Sequence, residues 1–219
     1  MPRSYRQYCG LSRSLDLIGE RWTMLIVREL MSGPKRFSDL AEALDGIGAS
    51  LLAARLKQLT TDGLITRRTL PAPAASQVYD LTPAGHELSV ALVPLALWGL
   101  RHRLDEPRQP DERYRAEWTL AFLAALIDRS AVADLRASIQ FRLDDSHAAL
   151  SIDHGVVSVR PGDIDNPDVV ITTDLRGLAD LAAHRSPDPA AVFERVTVEG
   201  DAGIALRLFE LLARRGVGV

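Results

Sequence analysis

The 219 residues contain one cysteine and five histidines, and only 5% of them are aromatic. A single thiol excludes an internal disulfide and any thiolate-rich zinc centre. The histidines are scattered without a ligand spacing such as HxxxH, so no metal and no other cofactor is expected. Long apolar runs are also missing. The longest, Leu88 to Leu100, is too short for a bilayer and carries Pro94, so it reads as a core or dimer helix and no membrane partner is expected. The opening MPRSYRQYCG has basic residues but no apolar stretch behind them, which argues against a secretory signal and for a cytoplasmic protein. No nucleophile motif and no phosphate-binding glycine loop occurs, and paired acids such as Asp144-Asp145 stand alone, so an enzyme is not expected.

What is present is a large apolar fraction, 47%, enough for one large domain or two small ones. Charge favours two. Met1 to Leu104 holds 13 Lys/Arg and 9 Asp/Glu, net +4, whereas Asp105 to Val219 holds 13 and 20, net −7. A basic half suits a polyanion, and an acidic half would be repelled by one. The stretch between them, LDEPRQPDERYR, is charged and carries Pro107 and Pro110. It predicts a division into residues 1–104, a linker at 105–112 and residues 113–219.

The first half is organised around Gly33 to Asp80. Phe37, Leu40, Ala41 and Leu44 recur at i, i+3, i+4 and i+7, one buried face of a helix. Asp45-Gly46 stops it, glycine being cheap where φ turns positive, and Ile47 can fill the corner that follows. A second helix repeats the stripe with Leu52, Leu56 and Leu59. Its opposite face offers Ser50, Ala53, Ala54 and Lys57, with Arg55 near the edge. Small and basic side chains on an outward helix face suit the major groove. After Asp62-Gly63 come a strand from Leu64 to Thr69, the segment LPAPAAS, and a strand from Gln77 to Leu81, a hairpin with a long tip. The pattern predicts a winged helix-turn-helix domain that binds double-stranded DNA, with Ser50, Ala53 and Ala54 facing bases. Arg36, Arg55, Lys57, Arg67 and Arg68 would face phosphates. The wing tip itself carries no basic residue. Arg55, near the buried edge, has an alternative as the partner of an acid within the fold.

Upstream, one helix is expected from Leu11 to Met31, with an interruption allowed at Gly19 and with Trp22 in its apolar stripe. Downstream, Thr82 can cap a helix that Pro83 opens and that runs to about Arg103, kinked at Pro94. Its apolar surface exceeds what one small domain buries, which predicts a partner.

Cys9, LDLIGERW, IVREL, GPKRFSDL, LLAARLKQL, DGLITRR, VYDLTPAGHEL and PLALWGL together resemble the HxlR-type winged helix-turn-helix transcriptional regulators over about the first hundred residues. The resemblance implies a homodimer formed by the first and last helices of the domain. It also implies two roles for Cys9, a packing residue or a redox-active thiol, since some family members use a cysteine there for sensing. A thiol at a helix start among Arg3, Arg6 and Arg13 would be activated.

The second half reads as a helix from Ala116 to Ile127, then strands at SIQFRLD, AALSID and VVSVRP, with turns at Asp144-Asp145 and His154-Gly155. A fourth strand at Asp168 to Thr172 precedes a helix from Asp174 to His184 and a short turn at Pro187 to Phe193. A strand at Val196 to Glu199 and a final helix complete the chain. This is an α+β domain with a small, mostly antiparallel sheet. NPDVVITTD and VTVEGD resemble the sterol carrier protein type 2-like domain, which implies an apolar cavity lined by Phe122, Leu126, Leu178, Leu181, Phe193 and Leu208. The same residues would equally fill a solid core. The reading as a whole is a dimeric regulator of transcription modulated by an apolar small molecule. The alternative is a lipid-binding carrier whose winged helix serves protein contacts.

Overall fold

The computed structural model describes residues 4–103, 108–174, 177 and 196–214. They divide into two compact units, Met1–Ser89 and Val90–Val219, and the division falls inside a helix. The expected linker at 105–112 lies partly outside the described residues, as do the expected helix from Asp174 to His184 and the turn at Pro187 to Phe193. Among the described residues no helix is long and apolar enough to cross a membrane.

The first unit contains α1 (Gly10–Ile18), α2 (Thr23–Met31), α3 (Phe37–Ala43), α4 (Ala49–Thr61), β1 (Ile65–Thr69), β2 (Gln77–Leu81) and the start of α5 (Pro83–Arg103). The stretch from Leu11 to Met31, expected as a helix with an interruption allowed at Gly19, is two helices that part there. Gly19 closes α1 by donating its N–H to the Leu15 carbonyl at 2.9 Å, and Trp22 turns left-handed at φ 79° before α2 begins. Trp22 is half-buried rather than deep in the core, and its ring lies beside Gly46 in the α3–α4 turn, 3.8 Å from where a Cβ would stand.

The core of this unit is Ile26, Val27, Leu30, Leu40, Leu44, Leu52, Leu56, Leu59, Ile65 and Val78. Leu40 and Leu44 are buried as the spacing predicts, but Phe37 at the start of α3 is 36% exposed. Thr82 holds three elements together. Its hydroxyl donates to the Gly63 carbonyl at 2.6 Å and accepts the Gly85 N–H at 3.1 Å, capping α5 while fixing the end of α4. α5 runs through Pro94 to Arg103 as one helix.

The second unit holds the rest of α5, α6 (Ala116–Leu126), a 3-10 turn at Ser130–Val132, β3 (Arg136–Leu143), β4 (Ser146–Asp153), β5 (Val156–Pro161), β6 (Val169–Thr173), β7 (Thr197–Gly200) and α7 (Ala202–Arg214). The sheet has five strands in the order β5-β4-β3-β6-β7 and is mixed: β3 and β6 run parallel, and the other neighbours are antiparallel. Helix α6 packs on β3, β4 and β5, and α7 packs on β6 and β7. Between them lie Leu120, Leu123, Ile139, Phe141, Leu150, Ile152, Val169, Ile171, Leu208 and Leu212, joined by Val93 from α5.

On β3 the residue between Ile139 and Phe141 points to the other face, yet Gln140 is only 2% exposed. The β5–β6 connection covers it. Its Nε2 donates to the carbonyls of Ala148 and Gly162, and its Oε1 accepts the Ile164 N–H at 2.9 Å. The connection is further tied at Asp168, whose carboxylate accepts the N–H and the hydroxyl of Ser138, both at 2.7 Å. These bonds hold the carboxyl of Asp168 below the usual range, the Ser138 hydroxyl contributing most and its N–H next.

Candidate nucleic-acid interface

Helix α4 has two faces. Leu52, Leu56 and Leu59 are buried to 1% exposure or less, so the helix can present only one set of residues outward. Ser50, Ala53, Ala54 and Lys57 are exposed on the other side. Leu51, also outside the buried stripe, is 38% exposed. It was not among the expected interface residues, although its position off the Leu52–Leu56–Leu59 stripe is readable by counting. Gly48 starts the helix with extended backbone, and Gly63 ends it at φ 73°.

The hairpin follows. β1 and β2 pair from Ile65 opposite Leu81 to Thr69 opposite Gln77. Lys35 joins them as a short third edge, its N–H donating to the Tyr79 carbonyl at 3.0 Å and its carbonyl accepting the Tyr79 N–H at 2.8 Å. That bridge sets Arg36, exposed at the start of α3, next to the hairpin; its backbone N–H donates to Asp39 at 2.9 Å. The tip from Pro71 to Ala75 is exposed and carries no charge.

The expected cations fall into two groups. Arg36 and Lys57 are exposed and form no ion pair among the described residues. Arg55 and Arg68 are already matched to acids. Arg55 Nη2 lies 2.6 Å from Glu20 Oε2, and Arg68 Nη2 lies 2.8 Å from Asp80 Oδ2. Arg67 donates to the Gln77 side-chain carbonyl. Glu20 was not foreseen as part of the site, because it is 35 residues from Arg55 and no local pattern links them.

Cys9 is exposed and stands at the N-terminus of α1. Its thiol is held below the usual cysteine range by the Ser12 N–H first, then by the Leu11 N–H and the Ser12 hydroxyl. The first turn of the helix provides this activation. In the second unit, Phe122, Leu126 and Leu208 belong to or pack against the core under the sheet. Leu178, Leu181 and Phe193, the other expected cavity residues, lie outside the described residues.

Comparison with known proteins finds a separate family for each half of the chain. Residues 17–106 match the HxlR-like helix-turn-helix family, and residues 121–213 match the SCP-2 sterol transfer family. The chain is 40% identical over 106 residues to an uncharacterized HTH-type transcriptional regulator of Mycobacterium tuberculosis, covering 48% of this chain and 66% of that one. It thus spans just under two thirds of that relative's length. It is 34% identical over 88 residues to the HTH-type transcriptional regulator YodB of Bacillus subtilis, covering 40% of this chain and 79% of YodB. The solved reduced form of YodB, 31% identical, covers 46% of this chain and all of its own, with a TM-score of 0.40. Over residues 17–106, the chain belongs to the HxlR-like helix-turn-helix family.

Proposed function

We propose that the protein is a homodimeric, sequence-specific DNA-binding regulator of transcription that acts in the cytoplasm by binding rather than catalysis. The observation that carries this reading is the outward face of α4, where Ser50, Ala53, Ala54 and Lys57 stand clear of the buried leucine stripe. Small side chains let a helix approach base edges closely, and Lys57 supplies a phosphate contact at its rim. Arg36, set beside the β1–β2 hairpin by the Lys35–Tyr79 bridge, would extend the same surface. The names of the relatives, HTH-type transcriptional regulators, support the reading.

Dimerisation is supported by apolar residues left open on α1 and α5. Leu11 and Leu17 are 69% and 44% exposed, and Val90, Leu95 and Trp98 are 57%, 50% and 51% exposed. Two copies related by a dyad would read an inverted repeat with half-sites about one helical turn, roughly 10 base pairs, apart or a multiple of it. The test is footprinting across genomic DNA upstream of the protein's own and neighbouring genes, paired with sedimentation at micromolar concentration. Footprints without a dyad, or a monomer in the centrifuge, would count against the dimeric regulator.

For the second unit we propose a sensing role for an apolar small molecule. The SCP-2 sterol transfer match supports it, together with an acidic balance that disfavours contact with phosphates. An effector shifts DNA binding only as far as it prefers one state of the protein to another. The same match favours a second reading, a lipid carrier whose winged helix serves protein contacts. Native mass spectrometry for a co-purified apolar molecule, with DNA affinity measured before and after its removal, separates the two. A carrier would keep its ligand and show no salt-dependent binding to DNA.

A further inference from the structure

We propose that Glu20 is an internal competitor for phosphate, holding Arg55 of the DNA-reading helix away from DNA and so limiting affinity. The inference rests on the DNA-binding reading of α4. Arg55 and Lys57 are the cations of that helix. Lys57 is exposed, but Arg55 bends to the flank, with its side chain only 22% exposed, and closes on Glu20 at 2.6 Å.

Glu20 is placed for this by the turn that divides α1 from α2. At Gly19 an added Cβ would meet the Leu15 carbonyl oxygen at 2.5 Å, so the chain passes there only as glycine. Trp22 then turns left-handed and sets its ring beside Gly46, in the turn that leads into α4. The two anchors fix the α1–α2 turn next to the DNA-reading helix, and Glu20, between them, is the acid within reach of Arg55. The Glu20 side chain is 49% exposed, so its carboxylate remains in contact with solvent at the rim of the surface.

Two features make the pair a resting arrangement that phosphate can displace. A partly exposed ion pair is weak, because water and salt screen it. In addition, Arg55 Nε is buried without a hydrogen-bond partner among the described residues, so this pose leaves one donor unused. A guanidinium swung toward a phosphate could use its donors as a fork. DNA binding would then have to break the pair and leave an uncompensated carboxylate beside a polyanion. Both effects lower affinity, and both vanish when Glu20 loses its charge.

The experiment measures affinity for a mixed-sequence duplex about three helical turns long, roughly 30 base pairs, over a salt series, using the full chain. Wild type, Glu20→Gln, Glu20→Ala, Arg55→Gln and the Glu20→Gln/Arg55→Gln double variant are compared, each first checked for an unchanged helical circular dichroism spectrum. Both Glu20 variants should bind about three- to tenfold more tightly, with a salt slope steeper by about one per protomer. Relative to Arg55→Gln alone, the double variant should keep only the part of the gain owed to removing a carboxylate from beside phosphate, a smaller gain than Glu20→Gln gives when Arg55 is present. Unchanged or weaker binding by both Glu20 variants overturns the proposal, as does a gain that is as large without Arg55 as with it. If wild type itself shows no salt-dependent binding, the DNA-binding reading fails instead, and the two failures are distinguishable.

Discussion

Gly85 and Leu64 approach so closely that a Cβ on Gly85 would stand 2.1 Å from the Leu64 carbonyl oxygen. The first turn of α5 therefore rests directly on the backbone where α4 hands over to the hairpin, and Thr82 pins the same carbonyl through its N–H at 3.1 Å. Gly85→Ala should force backbone to move and cost about 2–3 kcal/mol, in the range of overpacked cores. A thermal melt would show it as a drop of roughly 10 °C or more for a unit of this size. An unshifted melt would mean that α5 does not start against Leu64.

Lys57→Ala should weaken binding to all duplex sequences by a similar factor and flatten the salt slope by about one per protomer. Arg68→Ala should matter less, since Asp80 already neutralises it at 2.8 Å. Salt-titrated anisotropy on two unrelated duplexes checks both. A sequence-dependent loss at Lys57 would mean that it reads bases instead of phosphates.

Cys9 should be the reactive thiol of the chain. It is exposed, and the N–H groups of Ser12 and Leu11 lower its pKa, so the thiolate fraction at neutral pH exceeds that of an ordinary cysteine. Iodoacetamide should alkylate it faster than free cysteine at pH 7, and Ser12→Ala should slow the reaction by removing the hydroxyl bond. A rate equal to that of free cysteine in both proteins would exclude an activated thiol.

Gln140→Leu should destabilise the second unit by about 1–3 kcal/mol, because the Ile164 N–H and the carbonyls of Ala148 and Gly162 lose their partner at a covered site. Hydrogen exchange offers a local reading. The Ile164 amide should exchange faster in the variant while the amides within β4 remain protected.

Acid should act on the same connection through Asp168. Its folded pKa is depressed below the ordinary carboxylate value, so its contribution is present at neutral pH and is lost as pH falls below about 4 through the folded value. Ser138→Ala removes the hydroxyl, the larger cause of the shift, and leaves the N–H bond. Urea unfolding of wild type and variant should differ more at pH 7 than in acid below about pH 4, because only the part of the loss carried by the ionised carboxylate titrates. A constant difference across that range would show that Asp168 is not linked to stability through Ser138.

Most of the first unit is legible in the sequence because amphipathic spacing reports burial directly. Leu40, Leu44, Leu52, Leu56 and Leu59 lie where counting by three and four puts them, and Thr82 and Pro83 open α5. Counting fails where backbone geometry decides. The turn at Trp22 is one case: Gly19 marks where the helix can break, but a left-handed tryptophan after it has no signature in hydropathy. Phe37 is another: it has the right phase, but it begins α3, where no earlier turn covers it. Side-chain partners distant in sequence leave no local pattern, and the matching of Arg55 with Glu20, 35 residues apart, is of that kind. In the second unit the turns at Asp144 and His154-Gly155 stand at positive φ, in keeping with the residues chosen for them. The direction of β6 was not readable, because alternation tells which face a residue occupies and nothing about which way the neighbouring strand runs.

The parallel seam between β3 and β6 also sets the order of folding. β3 meets β4 across a tight turn, Leu143 opposite Ser146, and that hairpin can form as soon as both strands exist. Its other neighbour arrives much later in the chain, with Ile139 opposite Val169, and β7 can add only after β6 has docked. Closing so long a loop loses chain entropy before any pairing returns it, so non-local strand pairing is slow. During synthesis the first unit precedes the second, so its own pairings, Lys35 with Tyr79 among them, can close while the central strand of the second still has one open edge. β3 should therefore be the strand through which misfolded chains pair with one another.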